Sequence, residues 1–306
     1  MKFTPRLSAV RFISVMLLGS FALALSASAA DRHHHHGRNN SINEKDIVRD
    51  CSDVKISFDD ETAVRDEQTI TLSPSQVTRI EASSVNDGGI QVYSWDQAGY
   101  QISACKAAAQ NHKEFLSQIT STFDNGVLSS RGPSDEDSWL VYYIIRVPRQ
   151  SVPLHFTAEN GGIGLRGISA DVDAETSNGP ISIDDCAGKI RARAENGPIG
   201  ISGASGDVSA KAENGPVSVY LAGKQWSGAG IEASTQNGPL SLHIPAGYES
   251  GVRVVSYGYS PFDCDAPACD QAHGTWKSRE HGVEFGQGSP VIRMSTHNGP
   301  VSILSD

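Results

Sequence analysis

The sequence predicts an all-β fold: a parallel β-solenoid of two-strand rungs, each about 18 residues long, turning at Asn-Gly-Pro corners and broken late by an insertion. Three observations carry this. Asn-Gly followed by Gly or Pro recurs at Asn160, Asn178, Asn196, Asn214, Asn237 and Asn298, and the first four are spaced 18 residues apart. A fixed period of that size is the mark of a stacked repeat. Four columns aligned on the asparagine are apolar in every repeat. Finally, the columns lie two residues apart on each side of the corner, which is strand alternation and not the i, i+3, i+4 recurrence of a helix.

The columns fix the inside of the rung. Six residues before each asparagine stand Leu154, Val172, Ile190, Val208, Ile231 and Ile292, and four before stand Phe156, Ala174, Ala192, Ala210, Ala233 and Met294. Three after come Ile163, Ile181, Ile199, Val217, Leu240 and Val301, and five after come Leu165, Ile183, Ile201, Val219, Leu242 and Ile303. Rungs of one pattern stack in register about 4.8 Å apart, so the columns form one continuous core. At the corner, Asn tolerates left-handed backbone, Gly accepts bends closed to a Cβ, and Pro presets φ without an N–H to satisfy. Stacked asparagines also hydrogen-bond along the axis, as in other stacked sheets. The six asparagines are therefore expected to form a structural turn ladder.

The elements follow in chain order. Residues 1–30 read as a signal peptide: basic Lys2, Arg6 and Arg11, an apolar run from Phe12 to Leu25, then small residues through Ala30. That run is shorter than a bilayer span needs, and no later stretch is apolar enough, so no transmembrane span is expected after cleavage. Residues 31–50, with His33 to His36, read as a flexible polar leader. Residues 51–150 read as N-terminal strands and a cap. An early rung is expected at Ile80 to Val92, with Trp95 covering an edge. A short helix is expected from Cys105 to Phe115, a hairpin turn at Asn125-Gly126, and a strand from Trp139 to Val147. Residues 151–306 hold the regular repeats, interrupted by residues 243–290. That insertion is rich in aromatics, and a capping or edge-covering role is favoured for it. A ligand surface of Tyr257, Tyr259 and Trp276 is the alternative.

Of the five cysteines, Cys264 and Cys269 flank a short turn and are expected to pair, with Cys51–Cys105 as the second pairing and Cys186 left over, packed in a turn or free. Sequence leaves connectivity open. A metal site is the weaker alternative, since the spacings match no common zinc motif.

Charge narrows the partners. The chain carries −10, and loss of Lys2, Arg6 and Arg11 with the signal takes it to −13, which argues against nucleic acid or anionic lipid. Outside the core, register sets Asp173 beside Arg191 and Glu175 beside Arg193. These read as weak surface ion pairs rather than as a sugar-binding strip of Arg191, Arg193 and Lys211. The line of Glu159, Glu195 and Glu213 supplies one carboxylate per rung, too few for calcium.

The NGPISI-type units, the earlier NDGGIQV followed by SWD, and IIRVP before the first regular rung resemble the bacterial putative-adhesin family, a toastrack-like group of domains of unknown function. The resemblance covers roughly residues 51 to 306. It implies an exported or membrane-associated β-solenoid with a role in adhesion, and it carries over no catalytic, cofactor-binding or metal-binding residue. The expectation is an exported, non-enzymatic binding or adhesion protein of the bacterial cell envelope or surface, with a glycan or cell-surface protein as partner and no cofactor. The alternatives are a polysaccharide-active enzyme on a parallel β-helix, or a purely structural envelope protein. Neither a paired-acid motif nor a nucleophile elbow stands out to support an enzyme.

Overall fold

The computed structural model describes residues 40–44, 48–258, 260–277 and 280–305. The segment read as a signal peptide and the histidine tract lie outside these residues. Each rung has an inbound strand that runs into the asparagine corner and an outbound strand that leaves it. Six rungs follow the chain. They are Ile80–Ser83 with Ile90–Trp95, Leu154–Ala158 with Ile163–Arg166, Val172–Thr176 with Ile181–Asp184, Lys189–Ala194 with Ile199–Ser202, Asp207–Ala212 with Val217–Tyr220, and Gly230–Asn237 with Leu240–Ile244.

Inbound strands pair parallel with inbound strands, and outbound with outbound, which makes two long sheets. The register is the one the columns predict: Val172 pairs with Ile190, Ile190 with Val208, Ile181 with Ile199, and Ile199 with Val217. Alternate residues point inward. Ile190, Ala192 and Ala194 are buried while Lys189, Arg191 and Arg193 are exposed. Ala174, Ala192 and Ala210 stack directly over one another, and such small side chains hold the two sheets close. Ala192→Phe is therefore expected to overpack the core and destabilise by roughly 1–3 kcal/mol, read as a lower urea midpoint.

The corners form the expected asparagine ladder, but without the left-handed backbone that was expected of them. None of the six asparagines of the repeat has a positive φ, and neither do their glycines; among the described residues the left-handed non-glycine positions are Asp59, Asp60, Asn86, Asn125 and Asp185. Asparagine is there for its side chain. Each amide donates to the one before it: Asn178 Nδ2 to Asn160 Oδ1 at 2.9 Å, Asn196 to Asn178 at 3.1 Å, Asn214 to Asn196 at 3.0 Å, Asn237 to Asn214 and Asn298 to Asn237 at 2.9 Å. Asn160 in turn donates to the Asp87 carboxylate at 2.8 Å. Glycine is there because neighbouring rungs approach too closely for a Cβ. A Cβ on Gly197 would lie 2.0 Å from the carbonyl oxygen of Gly179.

The N-terminal end is closed by antiparallel strands. Trp139–Pro148 pairs parallel with the first outbound strand and antiparallel with Tyr100–Ala108, which pairs with Val64–Leu72. A hairpin of Thr120–Asp124 and Val127–Arg131, turning at Asn125-Gly126, extends the other sheet. Trp139–Pro148 is nearly continuously apolar because both its faces are covered. Val141, Tyr143 and Ile145 face the main core, whereas Leu140, Tyr142 and Ile144 face a second, smaller one.

That second core is covered by a small sheet of Asn40–Glu44, Val54–Phe58 and Glu61–Thr62. At the described residues of 31–50 the structure differs from a flexible leader: Asn40–Glu44 is a strand and Val48 is buried. Polar composition misled there, since an edge strand buries only part of one face. The expected helix from Cys105 is also corrected. Cys105 lies in a strand that ends at Ala108, and only Gln110–Ser117 is helical, of the 3-10 type.

Both expected disulfides are present, with Cα–Cα distances of 5.4 Å for Cys51–Cys105 and 5.8 Å for Cys264–Cys269. Cys186 is free and buried in a turn. Burial pushes its thiol up to about 11, so it is protonated at neutral pH.

The late insertion is more than a loop. Ser250–Ser256 and Phe262–Cys264 form a complete rung, but not next to the sixth. Gln287–Asn298 and Val301–Ser305, later in sequence, lie between them. In space, the seventh rung is thus the last in sequence. The eighth is capped by the hairpin His273–Lys277 and Glu280–Phe285, which pairs antiparallel with Ser250–Ser256.

Candidate functional site: a groove beside the asparagine ladder

Strand alternation sends one residue of each pair out of the inbound sheet. Along the axis these outward residues form the line Thr157, Glu175, Arg193, Lys211, Ser234 and Ser295, paired rung to rung. Two residues on, where each strand bends into its corner, a second line runs Glu159, Ser177, Glu195, Glu213, Gln236 and His297. Between the two lines is a groove of about 700 Å³. Five rung steps make it roughly 24 Å long. The bend that opens it is held by threonines turned to the glycine corner: Thr235 donates to Gly215 O at 2.8 Å and Thr296 to Gly238 O at 3.0 Å.

The groove's charges are distributed unevenly. Arg193 pairs with Glu175 and, at 3.3 Å, with Asp173. Arg193 thus draws in the acid expected to sit with Arg191, because a long guanidinium reaches diagonally across the register. Among the described residues, Lys211, Glu195, Glu213 and Glu232 make no side-chain ion pair or hydrogen bond. They present a cation and three carboxylates to solvent along the groove. The glutamates follow one another along the sheet, one per rung, and no group of three His, Cys, Asp or Glu among the described residues is placed to hold a metal ion.

At the far end of the groove the Tyr257 ring lies 5.2 Å from that of His297, tilted by 36°. Tyr257 is 44% exposed, among the most exposed large apolar residues. Of the three aromatics suggested as a ligand surface, Tyr257 does not line the groove but packs against His297, which does. Tyr259 and the Trp276 side chain lie outside the described residues. Of the strip Arg191, Arg193 and Lys211 that sequence set aside as a sugar-binding surface, Arg193 and Lys211 line the groove; the groove itself was not read from the sequence. Its signal was present in the small residues Ser234 and Ser295, which keep the floor low where Arg and Lys stood in earlier rungs.

A second hollow, of about 340 Å³, lies where Val48 and Arg49 rise beside the outbound sheet. Its polar groups mostly satisfy one another. Arg166 pairs with Asp184 at 3.1 Å, while Tyr93 Oη and Arg146 Nη2 both donate to Arg49 O. The Arg146 guanidinium lies 5.4 Å from the Tyr93 ring centre. This hollow is the joint that locks the small sheet to the solenoid.

No family model matches the chain, and no curated protein matches it. Solved structures do. A putative cell adhesion protein from Clostridium sporogenes is 9% identical with a TM-score of 0.29, covering 79% of this chain and 100% of its own. A putative adhesin from Bacteroides fragilis is 12% identical with a TM-score of 0.35, covering 79% and 97%. A putative lipid binding protein from Parabacteroides distasonis is 12% identical with a TM-score of 0.26, covering 79% and 96%. The first two names match the family that the repeat resembles. Likenesses of this size carry no argument about function, which rests here on the molecule's own surface.

Proposed function

We propose that this chain is an exported binding or adhesion protein of the bacterial envelope or surface, and that it holds an extended glycan in the groove beside the asparagine ladder. Its scaffold unit is an 18-residue rung turned at Asn-Gly-Pro. The observation that carries the reading is the groove: an open channel across six rungs, lined in part by the unpaired charges of Lys211, Glu195, Glu213 and Glu232, and ending at His297, against which the exposed Tyr257 ring packs. Repeating donors and acceptors at rung spacing suit a polymer of repeating hydroxylated units. An aromatic ring at one end suits stacking on a sugar face. Two disulfides fit an oxidising compartment such as the periplasm or the medium.

Glycan-array and whole-cell binding by the protein lacking residues 1–30 tests this. Tyr257→Ala and Lys211→Ala are each expected to weaken binding about tenfold, the loss of one good contact of about 1.4 kcal/mol. Both residues are exposed, so the unfolding midpoints should not move. Binding unchanged in both variants would remove the groove from the reading. Release of reducing ends from a bound polysaccharide would make the protein an enzyme instead.

A further inference from the structure

The rung made last in sequence sits between two that precede it, and the rungs on either side of it share its register. Ile292 pairs with Ile231 on one side and Val252 on the other; Met294 with Ala233 and Val254; Thr296 with Thr235 and Ser256. In the other sheet Val301 lies between Leu240 and Phe262, and Ile303 between Leu242 and Cys264. Ser250–Cys264 is therefore in phase to stack directly on the sixth rung, and the residues 245–249 that join them instead step across a whole rung. The molecule contains a slot, and residues 287–305 fill it.

The slot is selective. Its occupant must bury Ile292, Met294, Val301 and Ile303, set a hydroxyl on Gly238 O as Thr296 does at 3.0 Å, and continue the ladder as Asn298 does on Asn237 at 2.9 Å. The filling rung hangs from a short hinge. Only Gly286, at φ +85°, separates it from the capping strand Glu280–Phe285, and Gly288 follows at φ +75°. Short hinges favour exchange of an element between identical chains over looping back within one. A second copy of this chain supplies a segment that meets every requirement of the slot.

We propose that residues 287–305 are an exchangeable rung, and that two copies of the protein join by donating this rung into each other's slot. The inference does not rest on the glycan reading: it is argued from the register and buried columns of the rung, although Ser295 and His297 of the same rung also line the groove.

Ser234 and Ser295 are register partners across the slot boundary, and both point outward. Paired positions of this kind lie within the Cα range a disulfide spans. Two proteins, one Ser234→Cys and the other Ser295→Cys, are mixed at high concentration, held in denaturant below the unfolding midpoint, returned to buffer and oxidised. Exchange of the rung sets the two thiols side by side, so the disulfide then forms above the background of chance collisions between surface thiols. A covalent heterodimer on a non-reducing denaturing gel is expected, at least fivefold above that from Ser209→Cys mixed with Glu232→Cys, the equivalent boundary between the fifth and sixth rungs. Glu232→Cys with Arg293→Cys repeats the test at a neighbouring pair should either serine variant fail to fold. Heterodimer no more abundant than the control, with both pairs, would overturn the proposal.

Discussion

Gly197→Val should destabilise the protein by on the order of 3 kcal/mol, the upper part of the overpacking range. The corner glycines form a ladder of their own beneath the asparagines. A Cβ at Gly197 would meet Gly179 O at 2.0 Å and its carbonyl carbon at 2.7 Å, and Gly215 faces Gly197 O in the same way at 2.2 Å. These contacts are with backbone, which cannot swing aside, so relief requires two rungs to part. Parting them weakens the ladder of Asn196 with Asn178 and the pairing on both sheets. The comparison is Gly200→Ala, on the outward face of the next strand, where an added Cβ meets nothing within 4 Å. That change should be neutral or stabilise by up to about 1 kcal/mol, through a less flexible unfolded chain. Urea unfolding of both variants reads the difference. Equal midpoints would mean that the rungs do not approach as closely as described.

Removing the Cys51–Cys105 bond, as Cys51→Ala with Cys105→Ala, should cost about 4 kcal/mol on the loop-entropy estimate. The bond closes a sequence separation of 54, whereas Cys264–Cys269 closes only 5, for which the same estimate gives about 2 kcal/mol. The large loop also carries a structural joint. It ties the segment before Val54–Phe58 to Tyr100–Ala108, and between them lies the second core of Ile56, Phe58, Leu140 and Tyr142. Losing the tether should release the small sheet first, exposing Tyr142, before the solenoid unfolds. Hydrogen exchange would show this as early loss of protection in residues 54–62. A cost below 1 kcal/mol in denaturant would place the stability of this joint in the apolar core instead.

The stacking of the repeat was legible because it is periodic. Every inward column from Leu154 to Ile303 is buried as read, and the register of each pair follows from counting back from an asparagine. The asparagine ladder was legible, but the backbone conformation of the corner and the close approach behind its glycines were not. Asn and Gly commonly mark left-handed turns, yet here they serve a side-chain ladder and a close backbone approach, and both uses leave the same letters in the sequence. The position of residues 287–305 was hidden for a related reason. Ile292, Met294, Val301 and Ile303 match the columns equally well in the seventh or the eighth place, so the pattern fixes phase but not order. The groove was obscured because it is made of outward residues, which no core requirement constrains. Asn40–Glu44 was missed because a short segment with Ile42 as its one apolar residue looks like a tail.

The asparagine ladder has a direction and two ends. Every amide donates toward Asp87, so six aligned side-chain dipoles point their positive ends at one carboxylate, which accepts and has no N–H to pass onward. Beyond Asn298 the next rung brings Tyr257-Gly258 to the corner, with Tyr257 N bonded to Thr296 O and no amide side chain to continue the line. A stack of identical units has no inherent stopping point and can grow into a fibre. Here the stop is chemical as well as steric: an acid at one end and a glycine at the other set how many units the column counts.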